Sequence, residues 1–469
     1  MSILQLAKQS VIYGIGHVVS RFITFLLLPI LTVSLTTHEF GIISKFYAFT
    51  GFAMAFYRYG MDTALMKFYI QNKYSKAYFS SIFILQIISS ILFSVLILIV
   101  SPYLSHMIFG IYAPQYIIYI IIIIFADIIW NLNVLTLRAE KKPLAFIALN
   151  LINVISILGL TIYYVNQQMM GINGVLLANV IASIITLLIS CLLLWNRFSI
   201  QSVDFNFIKP ILRFGLPFLP AAIFAMILES SDRFILAYLL NDHFVGIYSA
   251  GYKLGIFGLL VVMAFNMGWT PYFLENGQKK NMNENFAVIQ TFFLGLMGLL
   301  GIILTISMPL IAQMEFMGYR LIGVDFIDGL VILPTILMSY YFFGLYVLLL
   351  PTIYILEKTY LIPIIRGLGA LSNVVLNFIL IPIMGIMGAA IANLGAFIIM
   401  FFAILLSTQR LQPTTYNVKG WIFPLVMWLL VLYVNNYMQS LVIIILYPIL
   451  WYYVVLNMRE KNKLKEFQL

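Results

Sequence analysis

The sequence predicts an all-α polytopic membrane protein of fourteen transmembrane helices. Two six-helix lobes are followed by two accessory helices, and both termini are cytoplasmic. Three observations predict it: fourteen long apolar runs, a one-sided distribution of Lys and Arg between successive connections, and a glycine motif that recurs in the second half. Hydrophobic residues make up 63% of the 469 and charged residues 9%, whereas ordinary soluble domains carry about 25% charged residues. A water-soluble fold of that make-up would expose too much apolar surface to stay dispersed. This excludes a soluble enzyme, a nucleic-acid-binding domain and a disordered chain. The single cysteine, Cys191, lies inside an apolar run and excludes an internal disulfide or a multi-Cys metal site.

About 20 mostly apolar residues cross a bilayer as one helix, and a lone strand would leave its backbone groups unpaired in lipid. Runs of this kind fall at 11–35, 41–66, 79–101, 115–137, 143–165, 172–195 and 211–240. They continue at 244–270, 286–311, 327–350, 359–381, 384–407, 420–437 and 440–457. The first follows Lys8, is too long for a signal-peptide core and has no small-residue cleavage site after it, so it is read as a span. With an inside N-terminus, the inner segments hold Lys8, then Lys67, Lys73 and Lys76, then Arg138, Lys141 and Lys142, then Arg197, Lys209 and Arg213. Further along they hold Lys279, Lys280, Lys358, Arg410, Lys419, Arg459, Lys461, Lys463 and Lys465. Those nineteen of the 26 basic residues face Arg320 alone in the outer loops. Short cytoplasmic loops collect Lys and Arg in this way, so the net charge of +10 is topogenic rather than a nucleic-acid footprint. The longest outer loop, near 311–326, leaves no room for a large external catalytic domain.

Gly171-Ile-Asn-Gly-Val-Leu-Leu-Ala-Asn179 opens the sixth run, and Gly385-Ile-Met-Gly-Ala-Ala-Ile-Ala-Asn393 opens the twelfth, 214 residues later. Glu140-Lys141 before the fifth run matches Glu357-Lys358 before the eleventh, and Phe40-Gly41 resembles Val245-Gly246. The order is that of an internal repeat. It divides the chain into an N-terminal lobe over 1–200, a C-terminal lobe over 201–410 and accessory helices over 411–469. Six spans per lobe is an even number, so both lobes run the same way and an axis along the membrane normal relates them.

Six basic residues fall inside runs: Arg21, Lys45, Arg58, Arg233, Lys253 and Arg366. A charge at a span centre costs roughly 2.5–3.5 kcal/mol on insertion scales. Six facing lipid would cost on the order of 15–20 kcal/mol, more than the about 5–15 kcal/mol by which proteins are stable. Lys45 lies near a span end and is expected to snorkel. The others are expected to face water, a partner or an interior cavity. Four acids accompany them: Asp62, Asp127, Glu229 and Asp232. Arg58 with Asp62, and Glu229 with Arg233, are spaced i, i+4 for pairing on one helix face. Arg21 has His17 and Thr24 as neighbours on its helix face, and Lys253 and Arg366 also lack a local acid, while Asp127 lacks a local base. A cavity between the lobes with surplus positive charge suits a phosphate or pyrophosphate, whose oxygens the planar guanidinium fork matches. The competing reading is a set of inter-helix salt bridges with no ligand. Asp62, Asp127, Glu229 and Asp232 are also the candidate carboxylates for coupling to a proton or Na⁺. Tyr340, Tyr341, Phe342, Phe343 and Tyr346 crowd the tenth run and are read chiefly as packing. Pro217, Pro220, Pro29, Pro334 and Pro351 are expected to break or kink helices.

No phosphate-binding glycine loop, nucleophile elbow or zinc spacing of the four His residues (17, 38, 106 and 243) occurs, so no catalysis, metal or cofactor is expected. Any driving force is expected from an ion gradient, the membrane potential or downstream consumption.

Three stretches then carry a resemblance. One runs from Tyr13-Gly14 through Arg21-Phe22 to Glu39-Phe40-Gly41 and Arg58-Tyr59-Gly60-Met61-Asp62. The second is Phe214-Gly215-Leu216-Pro217 leading to Ser231-Asp232-Arg233-Phe234-Ile235-Leu236. The third is Val245-Gly246-Ile247-Tyr248-Ser249-Ala250. Over essentially its whole length the chain resembles the bacterial polysaccharide flippases of the multidrug/oligosaccharidyl-lipid/polysaccharide exporter superfamily. The resemblance implies alternating-access transport of an undecaprenyl-pyrophosphate-linked oligosaccharide of O-antigen, capsule or exopolysaccharide across the bacterial cytoplasmic (inner) membrane. It implies a cationic central cavity, a role carried onto Arg21, Arg58 and Arg233; Lys253 and Arg366 join them on charge alone. The expected partners are the lipid-linked glycan, the bilayer and a glycan polymerase with its chain-length machinery, not nucleic acid. A peptidoglycan-precursor (lipid II) flippase is the close alternative. A drug or cation antiporter, which would favour an acid-dominated cavity, and a non-transporting scaffold stand behind it.

Overall fold

Apolar segments of this length become helices because a helix pairs every backbone group within itself. The computed structural model describes residues 19–110, 112–277, 282–316, 319–434 and 436–467 and consists almost wholly of helices. Among the described residues, eleven helices are long and apolar enough to cross a membrane by length and composition. In the first half these are Lys76–Ile99, Pro114–Ala139, Pro143–Gln167, Gly171–Arg197 and Phe205–Leu239. Asp242–Asn276, Glu284–Gln313, Val324–Ile355, Leu361–Met384, Ile386–Leu411 and Tyr437–Val455 complete the set. Each coincides with an expected run. Two shorter apolar helices, Val19–Ser34 and Val418–Val434, correspond to the first and thirteenth runs.

The second run departs from expectation. One continuous helix over 41–66 is replaced by α1 (Thr37–Arg58) and α2 (Met61–Gln71). Thr36 opens α1 with a capping box: its hydroxyl accepts from the Glu39 amide, and the Glu39 carboxylate accepts from the Thr36 amide at 2.9 Å. The helix stops where Tyr59 (φ 28°) and Gly60 (φ 81°) turn to positive φ, a region that only glycine enters at little cost.

Prolines shape the seventh run as expected. A short helix, Ile208–Gly215, passes through the tight turn Leu216–Phe218 into α3 (Leu219–Leu239), with Pro217 and Pro220 at the joints. Proline is tolerated there because first-turn amides have no intrahelical acceptor. The 311–326 connection carries a two-residue antiparallel hairpin in which Arg320 Nε donates to Glu315 Oε1 at 2.9 Å.

The chain forms two compact units, residues 1–250 with 322–327, and 251–321 with 328–469. In the first, Phe46, Tyr57, Ile117, Ile124 and Leu176 are fully buried where α1 meets Pro114–Ala139 and Gly171–Leu194. In the second, Leu333–Ile355 is the buried centre. Its Tyr340 hydroxyl donates to Tyr252 and its Tyr341 hydroxyl to the Trp421 carbonyl, so these rings pack and bond internally. The outer side of Lys76–Ile99 exposes Ile88, Leu92, Val95, Leu96 and Ile99, a face that only an apolar solvent tolerates.

The recurring motif sets a positive-φ glycine at a helix start twice, reached through Gln168–Met170 in the first copy and directly from a helix ending at Met384 in the second. Gly171 (φ 54°) and Gly385 (φ 56°) both stand at positive φ, and each starts a helix. The Gly41 and Gly246 segments also meet each other. A Cβ on Gly41 would lie 1.9 Å from the Asp242 carbonyl oxygen, and a Cβ on Gly246 1.9 Å from that of Thr37. The contact is reciprocal at one sequence offset, as expected of two copies of one element.

Candidate functional site

Seven of the nine predicted site residues lie in the first unit, and two of them, Arg58 and Asp62, flank the break between α1 and α2. Gly60 turns so tightly against the seventh run that an added Cβ would sit 2.0 Å from the Gly215 carbonyl oxygen. Arg58 ends α1 and Asp62 begins α2, so the expected i, i+4 pair spans a break rather than one helix face. Arg58 Nη1 and Asp62 Oδ2 are 3.6 Å apart, and each side chain is about one-third exposed (35% and 32%). Among the described residues, Arg58 Nε is buried and has no hydrogen-bond partner. Unpaired charged donors of this kind are rare in native folds and call for a ligand, an ion or water. Asp127, on Pro114–Ala139, accepts from Trp130 Nε1 at 2.8 Å, and Ser183 and Arg58 are close enough to act on it electrostatically.

Arg233 is held differently. Its Nη1 donates to Asp232 Oδ1 at 3.0 Å and to the Glu229 carbonyl oxygen at 2.6 Å. The expected contact with Glu229 is therefore made to backbone, and the Glu229 side chain is exposed. Asp232 is 1% exposed and also accepts from the Arg233 amide and the Tyr248 hydroxyl. Tyr248 was not among the sequence candidates, although it lies in the third stretch that carried the resemblance. Arg21 is exposed on Val19–Ser34, and His17 lies outside the described residues. In the second unit, Lys253 is half-buried on Asp242–Asn276. Arg366 on Leu361–Met384 is half-buried and close enough to Tyr346 to act on it electrostatically, yet no well-formed hydrogen bond joins them, and the buried Tyr346 hydroxyl has no partner among the described residues.

Lys45 is a correction. Instead of snorkelling it is 3% exposed, with Nζ 2.6 Å from Asp242 Oδ1. The close crossing at Gly41 and Gly246 brings the first turn of Asp242–Asn276 over α1 and supplies the partner. Asp242 was missed because it sits just ahead of the apolar run beginning at 244.

A second ionic group was missed entirely. Glu140, in the turn after Pro114–Ala139, receives Arg197 Nε and Nη2 at 3.0 Å each, Lys142 Nζ at 2.6 Å and the Tyr69 hydroxyl at 2.8 Å. Burial alone would raise its carboxyl. The bonds from Arg197, Lys142 and Tyr69, with the Arg197 charge, outweigh that and hold it down to about 2. Repetition of Glu140-Lys141 at Glu357-Lys358 was the only signal in the sequence.

With this geometry described, comparison with known proteins becomes informative. The profile of the family described as "Polysaccharide biosynthesis protein" matches residues 6–276, more than half of the chain. The chain belongs to the polysaccharide biosynthesis protein family. Its three motif stretches all lie within the match. No curated protein sequence matches the chain. Among solved structures, a lipid II flippase MurJ in an inward closed conformation is 16% identical with a TM-score of 0.74, covering 94% of this chain and 98% of that one. An inward-facing multidrug resistance MATE family transporter of the MOP superfamily is 14% identical, with a TM-score of 0.64 over 84% of this chain and 96% of that one. A MATE structure in the straight conformation is 14% identical, with a TM-score of 0.59 over 87% and 97%. This member of the polysaccharide biosynthesis protein family therefore shares its fold with flippases and drug transporters.

Proposed function

We propose that the chain flips an undecaprenyl-pyrophosphate-linked oligosaccharide repeat unit, of O-antigen, capsule or exopolysaccharide, from the inner to the outer leaflet of the bacterial cytoplasmic membrane. The mechanism is alternating access, without catalysis. The observation that carries this reading is the polysaccharide-biosynthesis family match across residues 6–276 of a multi-pass membrane chain. The chemistry follows from Arg58. A guanidinium loosely paired at 3.6 Å, with an unpartnered Nε, can turn its fork to a pyrophosphate without first breaking a strong bond. Arg21 in the first unit, and Lys253 and Arg366 in the second, are the further cations of this reading, while Arg233, tied to Asp232, holds structure. Asp62 and Asp127, which share the Arg58 charge, are the preferred coupling carboxylates over Asp232, whose oxygens are already occupied, and over exposed Glu229.

A second reading, transport of lipid II, rests on the fold likeness to MurJ. Complementation separates the two. In cells lacking their polysaccharide flippase, the chain is expected to restore surface glycan, and Arg58→Ala to abolish that at unchanged membrane abundance. Rescue of cells depleted of their lipid II flippase, with no rescue of surface glycan, would replace the first reading by the second. A reporter fused after Leu469 is expected on the cytoplasmic side; a periplasmic signal would mean an odd number of crossings.

A further inference from the structure

The Glu140 group belongs to a cavity away from the Arg58 region. Three turns of the first unit wall a space of about 460 Å³: the α2 to Lys76–Ile99 turn, the turn at Glu140–Lys142, and Trp195–Arg197. Its charged lining is Lys76, Lys142, Arg197 and Glu140, with Asn196 and the rings of Tyr69 and Tyr74 beside them. The volume lies in the range of small-molecule sites.

Charge and donor counts set what fits. Three cations stand against one carboxylate, and that carboxylate is spent. Each Glu140 oxygen already accepts two donors, which uses its lone-pair capacity. Arg197 has five N–H donors and gives two to Glu140, and Lys142 has three and gives one. The remaining donors and the exposed Lys76 ammonium have no acid in the lining left to satisfy them. Glu140 thus works as a pedestal that fixes the Arg197 fork in the wall.

The turn itself does not demand this cluster. The second unit makes the same turn with its positive φ at Glu357 (58°), which matches Lys141 (59°), so the two Glu-Lys steps are one residue out of register and the exposed Leu356 stands where Glu140 does. The first unit has added a buried acid, a guanidinium and two tyrosines to a turn that the second unit makes without them.

We infer that this cavity binds a phosphate group, held by Arg197, Lys142 and Lys76, with Glu140 as the positioning residue. Guanidinium and ammonium donors converging on one open space are the chemistry of phosphate recognition. The volume admits a phosphate ester rather than a bare ion only. A soluble phosphate ester and a phospholipid headgroup present the same group, and the experiment separates them.

The purified full-length chain is titrated with labelled pyrophosphate in neutral detergent. In parallel, its thermal unfolding is compared in nanodiscs of phosphatidylcholine and of phosphatidylglycerol. Saturable pyrophosphate binding, weakened at least tenfold by Lys76→Ala with Lys142→Ala, assigns the site to a soluble phosphate. A phosphatidylglycerol-dependent rise in unfolding temperature that the same double variant loses assigns it to a lipid headgroup. If neither response is present, or the double variant leaves both unchanged, the inference is overturned. Glu140→Gln gives a test of opposite sign. Removing a negative charge would by itself tighten anion binding, whereas loss of the pedestal weakens it, and tighter binding would remove the positioning role. These readouts measure binding, so they stand or fall separately from glycan transport.

Discussion

Arg58 and Arg233 each stand beside an aspartate in the first unit, and the two neighbourhoods are built on opposite plans. Arg233 and Asp232 lie 3.0 Å apart, with side chains 13% and 2% exposed, and every Asp232 oxygen has a donor. Arg58 and Asp62 lie 3.6 Å apart across a broken helix, each about one-third exposed. A buried ion pair contributes only when its geometry is good and its remaining valences are filled, and losing one partner then costs heavily. A half-exposed pair contributes little. The first arrangement therefore holds structure, and the second leaves a cation available to a substrate.

Asp232→Ala is the most damaging change this comparison predicts. It removes the carboxylate that accepts from Arg233 Nη1, the Arg233 amide and the Tyr248 hydroxyl, at a cost of about 3–5 kcal/mol. Arg58→Ala is expected to cost no more than about 1 kcal/mol. Thermal unfolding in detergent measures both, and a reversed order breaks the comparison.

Much of this contrast was hidden from the sequence. In the sequence the pairs are read from i, i+4 spacing, as Arg58 with Asp62 and as Glu229 with Arg233, and nothing pairs Asp232 with Arg233. Spacing assumes an unbroken helix, and Gly60 ends that assumption for the first pair. For the second it could not tell that the Glu229 contact falls on backbone, or that Tyr248 arrives from the next helix. Spans were legible because bilayer crossing imposes length and apolarity on each segment locally. Lys45 was misjudged because its partner Asp242 comes from 197 positions further along, and helix crossings of that kind leave only a small-residue trace, here Gly41 and Gly246.

Gly60→Ala tests the break itself. The new Cβ would meet the Gly215 backbone at 2.0 Å and require φ 81°, a strain of about 1–3 kcal/mol. Unchanged unfolding would mean that the break is not what holds Arg58 and Asp62 apart.

Glu140→Gln adds a third ionic group, outside the spans, for comparison. Its loss is expected to cost about 1–3 kcal/mol near neutrality. Because folding lowers this carboxyl from 4.5 to about 2, its contribution is fully present above pH about 4.5 and disappears as pH falls through about 2. The stability gap between wild type and variant should close in that window, and a gap that closes instead at higher pH would assign it to another group.

The two copies of the positive-φ glycine offer a further comparison. Gly171→Ala and Gly385→Ala should each cost about 1–2 kcal/mol for a side chain at positive φ, and by similar amounts if the turns are equivalent. Very different unfolding shifts would show that one turn carries more than its geometry.

The central claim is that the loosely paired Arg58 handles an anionic lipid-linked glycan. Its most direct test is the transfer rate of an undecaprenyl-pyrophosphate-linked oligosaccharide in proteoliposomes containing equal amounts of wild type or Arg58→Ala. The account predicts at least a tenfold slower rate for the variant, with unfolding temperature preserved. A variant that moves the glycan at the wild-type rate would contradict it.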